Sequence, residues 1–399
     1  MKNILISGAS VAGPALAHWL ARYGFTTTIV ENAPGFRDGG YAVDFRGDAH
    51  LTVLRRMGIL GEVEQARTGT GAMAYVNRDG KVQASMPADL FAGDVEILRG
   101  DLARILHRAT RGTTEYVFGD SIASLDEDED GVTVAFERSA PRRFDLVIGA
   151  DGLHSNVRRL AFGPEERFVR DLGVHCAVFT VPNHLGLQYT GHVYRTGGQL
   201  ASVYSARHNT EARAAFYFAS PETDVHRRDV AGQQRILTER FAGTGWECDR
   251  LLAEMRNAPD FYFDSVGQVR MDTWSRGRVA LLGDAAYCPS SLSGMGTGLA
   301  MVGAYVLAGE LAAARGDHRV AYARYQDVLG EYAAGCQKMG DGVAKLMMPD
   351  SRFAVALLNR YYKLLPYLPG KNMAAKIARK TAEGIALPDY AGAATRPTC

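Results

Sequence analysis

Cysteine is scarce and scattered. The five residues, Cys176, Cys248, Cys288, Cys336 and Cys399, are odd in number and include no CxxC pair. Neither a disulfide framework nor a cysteine zinc site is implied. No two histidines stand at metal-ligand spacing, so no structural metal is expected. An excess of one charge is missing too: 45 Lys+Arg face 44 Asp+Glu, without a block of like charges, which argues against nucleic acid as the main partner. The longest charge-free stretch, 285–309, is broken by Pro289 and several glycines, so no membrane span is expected. The opening residues have the outline of a signal peptide, but Gly8, Ser10, Gly13 and Pro14 interrupt the apolar run. A cytoplasmic protein is expected. There is no internal repeat. What the 399 residues do contain is 47% hydrophobic side chains and 44 glycines, a composition that suits two or so globular domains around a large core.

The pattern along the chain begins with a βαβ unit: an apolar run at Asn3–Ser7, a glycine turn, a helix over Ala15–Tyr23 ended by Gly24, and a β-branched strand at Thr26–Val30. A helix near Ala49–Met57 closes at Gly58. Strand-like alternation follows around Asp79-Gly80. The fully apolar run Phe144–Ile148 suits a buried parallel strand. From about Val174 to Arg270 aromatic strand pieces take over, with hairpin connections at Gly197-Gly198 and His208-Asn209. The parallel-strand pattern returns at Val279–Leu282 before long helices. The expected fold is α/β, a discontinuous Rossmann-like domain (1–70, 99–173 and 271–345). An antiparallel-sheet domain (71–98 and 174–270) is inserted in it, and a helical segment (346–399) follows.

Three segments carry chemistry. Gly8-Ala9-Ser10-Val11-Ala12-Gly13 links strand to helix. Gly8 permits the tight turn, Gly13 close packing, and the free helix-start N–H groups suit a pyrophosphate. Ser10 stands where the fingerprint has its middle glycine. Glu31, at the end of the next strand, fits the carboxylate that binds a ribose. A nucleophile elbow centred on Ser10 is the rival reading, but only one strand precedes it. The second segment is an apolar strand ending in Gly149-Ala150-Asp151-Gly152, followed by Ser155, Arg158 and Arg159. The third ends in Gly283-Asp284 and continues through Pro289 and Ser293-Gly294-Met295-Gly296-Thr297-Gly298 into an apolar helix. That helix start can hold developing negative charge.

In order and spacing these segments resemble class A flavoprotein monooxygenases, the single-component FAD aromatic hydroxylases with the p-hydroxybenzoate hydroxylase-like fold. The resemblance spans about residues 1–345 and is nearest the branch of tetracycline-inactivating and polyketide-tailoring enzymes. It implies that Gly8, Ser10, Val11, Ala12, Gly13 and Glu31 hold the ADP half of FAD. It also implies that Asp44 lies near the flavin and Arg37 near NADPH. Arg99 would sit beside the FAD phosphates, although a helix-start charge paired with Asp101 is the plainer reading. Asp151 would serve FAD and NADPH. Asp284, Pro289, Gly294 and Gly296 would meet the flavin. Tyr287 stands where the family often has His.

The resemblance further implies that NADPH or NADH reduces FAD, that O2 yields a C4a-hydroperoxide, and that oxygen passes to an aromatic or polycyclic small molecule. An apolar pocket must shield that species from water. Tyr189, Tyr194, Tyr204, Phe216, Phe218 and Phe261 are candidates for its wall, with plain core packing as the alternative for each. His175, His184 and His192 are candidate acid–base groups, with an ordinary surface or core histidine as the plainer reading of each. Baeyer–Villiger insertion on the same fold and a non-catalytic flavin-binding protein are alternative readings.

Overall fold

The computed structural model describes residues 2–36, 39–86, 93–220, 227, 229–367 and 373–393. Arg37 and Cys399 lie outside them. The opening βαβ unit forms as its pattern requires, from strand Asn3–Ser7, helix Ala12–Arg22 and strand Thr26–Glu31. It nucleates a six-stranded sheet in the order Ser275–Arg276, Val279–Leu281, Leu146–Gly149, Asn3–Ser7, Thr26–Glu31, Thr114–Phe118. All neighbours run parallel except the edge pair at Ser275–Arg276. The sheet's central strands, Asn3–Ser7, Leu146–Gly149 and Val279–Leu281, are buried and mostly apolar, as expected of a parallel sheet inside the fold. Helix Gly296–Ala313 is long and apolar enough to cross a membrane, but 78% of it is buried within the fold. It packs between the first helix and helix His318–Gly340.

A seven-stranded sheet forms the second layer, in the order Tyr262–Val269, Val169–Val181, Glu211–Ala219, Gln199–Ala206, Gly191–Thr196, Met73–Val76, Val82–Met86. It is antiparallel except where Gly191–Thr196 meets Met73–Val76. Both expected hairpins form. Gly197-Gly198 joins two strands, and the turn through Arg207, His208 and Asn209 holds all three at positive φ. Strand Val95–Leu98 does not join this sheet but pairs with Ala42–Phe45.

The large sheet has two distinct faces. One is covered by helices Val230–Phe241 and Cys248–Met255, whose Leu237, Phe241, Leu251 and Met255 enclose a core with Phe179, Phe216 and Phe218. The other carries Tyr75, Cys176, Val193, Leu200 and Val266, together with Tyr362 of the C-terminal helix Arg352–Leu364. The last helix, Met373–Ala382, packs instead on Gly47–Met57 and His318–Gly340. The C-terminal segment thus touches both layers.

Candidate functional site

The glycine turn is built too tightly for side chains. Gly8 has φ +108°, and its N–H donates to the Val30 carbonyl at 2.8 Å. A Cβ at Gly8 would lie 2.4 Å from the Ala150 carbonyl oxygen, and one at Gly13 only 2.0 Å from that of Gly8. The following helix has no side-chain cap at Val11, so its first N–H groups are available to an anion. Glu31 accepts from Ala9 N–H and Ala33 N–H, each at 2.9 Å. A carboxylate has about four acceptor sites, which leaves room for ribose hydroxyls.

Tertiary structure adds Arg99 to this turn. Its Nη1 donates to Ser10 Oγ at 3.2 Å. Its Nε is buried with no partner among the described residues, beside Gly40, where a Cβ would stand 2.9 Å from it. A guanidinium N–H with nothing to donate to fits an anionic oxygen of a bound dinucleotide. The plainer reading fails, since Asp101 pairs with Arg104 and with Arg207 at 3.3 Å.

The third segment closes on the first. At Gly283, φ is +65° and a Cβ would meet Ala12 and Ala300 at 3.3 Å. Asp284 begins a short helix there. Burial pushes its carboxyl up, opposed by the Cys288 thiol and the Arg99 charge. Gly296 stands against both Asp284 and Pro289. It opens the long helix, which has no side-chain cap and no acidic residue in its first turn. Gly294 faces the Asp44 carboxylate, which accepts from Gly93 N–H at 2.8 Å and from Arg46 Nη2 at 3.1 Å. Asp44 therefore anchors its loop.

Two sequence candidates have other occupations. Asp151 accepts from Ser155 Oγ, from Val157 N–H at 3.0 Å and from Ser7 Oγ at 3.4 Å. Its carboxylate locks the strand-to-helix turn. Tyr287 points into the core, where it meets Trp274 (ring centroids 4.5 Å apart) and accepts from Tyr325 Oη at 2.9 Å.

Strand register decides which face of the large sheet each aromatic candidate takes. Tyr204 opposes Arg213, Leu200 opposes Tyr217, and Tyr217 opposes Cys176, which opposes Asp264. Opposed residues share a face. Tyr204, Tyr217, Cys176, Asp264 and, two residues on, Tyr262 therefore line the side away from helices Val230–Phe241 and Cys248–Met255. Tyr41 reaches this side from the cradle, 6.3 Å from Tyr262 between ring centroids. Burial raises the phenols of Tyr41, Tyr204, Tyr217 and Tyr262.

Phe216 and Phe218 must be corrected: period-2 alternation turns them to the opposite face, into the helix-covered core. There Phe216 lies 4.3 Å from Phe241. Tyr194 and Phe261 belong to the same core, and His175 stacks there on Phe218 at 5.3 Å. His192, opposite Val203, shares that side. His184 bonds Glu247 at 3.0 Å. Tyr189 is 44% exposed at φ +49°, on the rim over Gly69. Tyr41, Tyr217 and Tyr262 were missed in the sequence. The apolar faces of the two covering helices, opposite the Phe pair of Ala215-Phe216-Tyr217-Phe218, are the signal that could have revealed Tyr217.

His154, also missed, ties the Asp151 segment to the sheet. Its Nδ1 meets Glu165 at 3.0 Å and its Nε2 meets Asp264 at 2.9 Å. Burial opposes its charge, but the two carboxylates outweigh burial and raise its pKa above 6.5. The resulting stabilisation is complete below pH 6.5 and fades as pH rises through the raised value. His154→Asn should therefore lower the melting temperature more at about pH 6 than at about pH 9. Equal losses at the two pH values would show that no protonated tether exists.

Residues 1–343 match the family described as FAD binding domain. Over 393 residues the chain is 40% identical to a flavin-dependent monooxygenase of an unknown prokaryotic organism, covering 98% of this chain and 99% of that one. The chain belongs to this family of FAD-dependent monooxygenases. It is also 52% identical over 331 residues to an uncharacterised protein of Mycobacterium tuberculosis, covering 82% of this chain and 89% of that one. Among solved structures, the tetracycline destructase Tet(51) superposes with a TM-score of 0.86 at 35% identity, covering 98% and 99% of the two chains. The monooxygenase is thus an oxidoreductase that uses FAD, with NAD(P)H as the co-substrate typical of its family.

Arg99 gives a direct test of how FAD is held. Arg99→Gln should weaken FAD retention by on the order of 10–100-fold, because a charge-assisted donor is lost. Arg99→Lys should rescue it poorly, because a point charge cannot reach both Ser10 and the flavin side. Full flavin content after gel filtration of Arg99→Gln would exclude this role.

Proposed function

We propose that this monooxygenase hydroxylates a planar aromatic or polycyclic small molecule, lying between the glycine cradle and the tyrosine face of the large sheet. The observation that carries the reading is Tyr41, whose carbonyl accepts from Arg99 N–H at 3.2 Å and whose ring lies 6.3 Å from that of Tyr262. FAD, when bound, supplies the redox chemistry, taking electrons from NAD(P)H and activating O2. The chain's own part is placement. Gly8, Ser10, Val11, Ala12, Gly13, Glu31 and Arg99 hold the nucleotide half, while Asp284, Pro289, Gly294 and Gly296 form the wall at the other end. The uncapped start of Gly296–Ala313 would stabilise negative charge on a bound flavin. Tyr41, Tyr204, Tyr217 and Tyr262 offer aromatic surface to a flat substrate and exclude water. Asp151 acts as a positioning residue through its turn. NAD(P)H docks transiently, since the one dinucleotide fold is taken by FAD. Buried free thiols at Cys176, Cys248, Cys288 and Cys336 support a cytoplasmic setting.

Similarity to tetracycline destructases makes a tetracycline the first compound to assay, followed by other fused-ring phenols. NAD(P)H consumption by the yellow holoenzyme should rise with the true substrate, and the product should gain the mass of one oxygen atom. Flavin that no reduced nicotinamide can bleach would favour a non-catalytic flavin-binding protein. A ring-expanded ester or lactone product would favour Baeyer–Villiger insertion.

A further inference from the structure

Arg195 is only 8% exposed, yet among the described residues its guanidinium meets no acid. Nη2 donates to Tyr75 Oη at 3.1 Å, whereas Nε and Nη1 are buried with no hydrogen-bond partner. Its guanidinium carbon lies 4.3 Å from the Tyr75 ring centroid and 5.4 Å from that of Tyr362. The two rings stack on each other at 5.0 Å. Aromatic faces favour a cation but do not satisfy its N–H groups. Two orphaned donors on a buried positive charge call for an anionic acceptor.

The place of Arg195 in the sheet says which acceptor. It opposes Leu200, which opposes Tyr217 on the next strand. Arg195 therefore shares a face with the tyrosines of the proposed substrate wall, two strands or about 10 Å across from Tyr217. Its surroundings on this face are apolar: Tyr75, Ala84, Val193, Leu200 and Met348.

We propose that Arg195 is a substrate-recognition residue that binds an anionic oxygen group, a carboxylate or an ionised enol, at the far end of the aromatic substrate. Tyr75 orients the guanidinium, and Tyr362, from helix Arg352–Leu364, covers it. The inference rests on the proposed placement of substrate against the tyrosine face. Nη2 keeps a second hydrogen beside the one given to Tyr75, so a planar oxyanion can be taken across one edge of the fork, by Nη2 together with Nε or with Nη1.

Calorimetric titration of the FAD-loaded enzyme tests this without turnover. The probes are 2-naphthoate against its methyl ester, and 4-hydroxycoumarin, an acidic enol, against its methyl ether. At least one anion should bind at least about tenfold more tightly than its neutral partner. The pair that discriminates identifies carboxylate or enolate. Arg195→Gln should abolish the discrimination, and Arg195→Lys should keep part of it. Flavin content and melting temperature certify that the variants are folded. Equal affinity for anion and neutral partner in both pairs, binding of neither anion, or undiminished discrimination in Arg195→Gln would overturn the proposal. Failure of the proposed function reads out separately, as flavin that NAD(P)H does not reduce.

Discussion

Gly13→Ala should emerge from purification colourless, with little recoverable protein. The new methyl carbon would sit 2.0 Å from the Gly8 carbonyl oxygen and 3.2 Å from an Ile6 side-chain carbon. No rotamer can relieve a clash of Cβ with backbone, so the first helix must lift from the sheet. Overpacking of this kind costs about 3 kcal/mol or more, and here the helix start is also the nucleotide cradle. Added FAD should not restore the flavin spectrum. Gly8→Ala should behave similarly, because φ +108° and a 2.4 Å approach to the Ala150 carbonyl oxygen join backbone strain to a clash. By contrast, Gly58→Ala, in left-handed backbone at φ +78° with open space around it, should lose about 1 kcal/mol and keep its flavin. A yellow, fully loaded Gly13→Ala protein would refute the cradle as drawn.

Phe216→Ala should cost about 3–5 kcal/mol, the usual loss for a buried aromatic ring. Phe216 is fully buried among Phe179, Phe218 and Phe241, and the covering helices cannot collapse onto a strand fixed on both sides. Flavin retention should survive, because the FAD segments belong to a different core. Tyr217→Phe, one residue along, should leave the melting temperature nearly unchanged and shift the substrate KM. Thermal melts paired with flavin content and steady-state assays decide the matter. If Phe216→Ala melts like the parent and Tyr217→Phe does not, the faces have been assigned the wrong way round.

Much of the site was legible because its parts are local. A short apolar strand, a glycine turn and an apolar helix dictate the first βαβ unit wherever they occur, and the Gly283-Asp284 turn follows the same logic. Glu31 was legible from spacing alone, since the end of the second strand must adjoin the first turn. Arg99 could be linked to the phosphates only through resemblance. Nothing local says that a helix start 89 positions after Ser10 bends back to it. The strand over Glu211–Ala219 shows the opposite limit. Its alternation was plain, but Phe216 and Phe218 drew attention by size, although large apolar rings are what a covered core demands. Arg195 was illegible for a related reason: only pairing across strands brings it beside Tyr75 and leaves two of its nitrogens unsatisfied.

Family resemblance pointed to FAD, and the sequence by itself determined the parallel-sheet domain and its glycine turns. These follow from steric rules that act over a few residues: period, turn conformation and helix-start polarity. Tertiary structure alone decided which face of the second sheet the two helices Val230–Phe241 and Cys248–Met255 cover and which meets the C-terminal helix Arg352–Leu364. It also decided that Asp151 locks its turn through hydrogen bonds, that Tyr287 packs in the core, and that Tyr41 stands between Arg99 and Tyr262. Those outcomes depend on register between strands far apart in the chain and on which helices fold over them. No local spacing encodes that choice, because a strand presents both faces until something covers one.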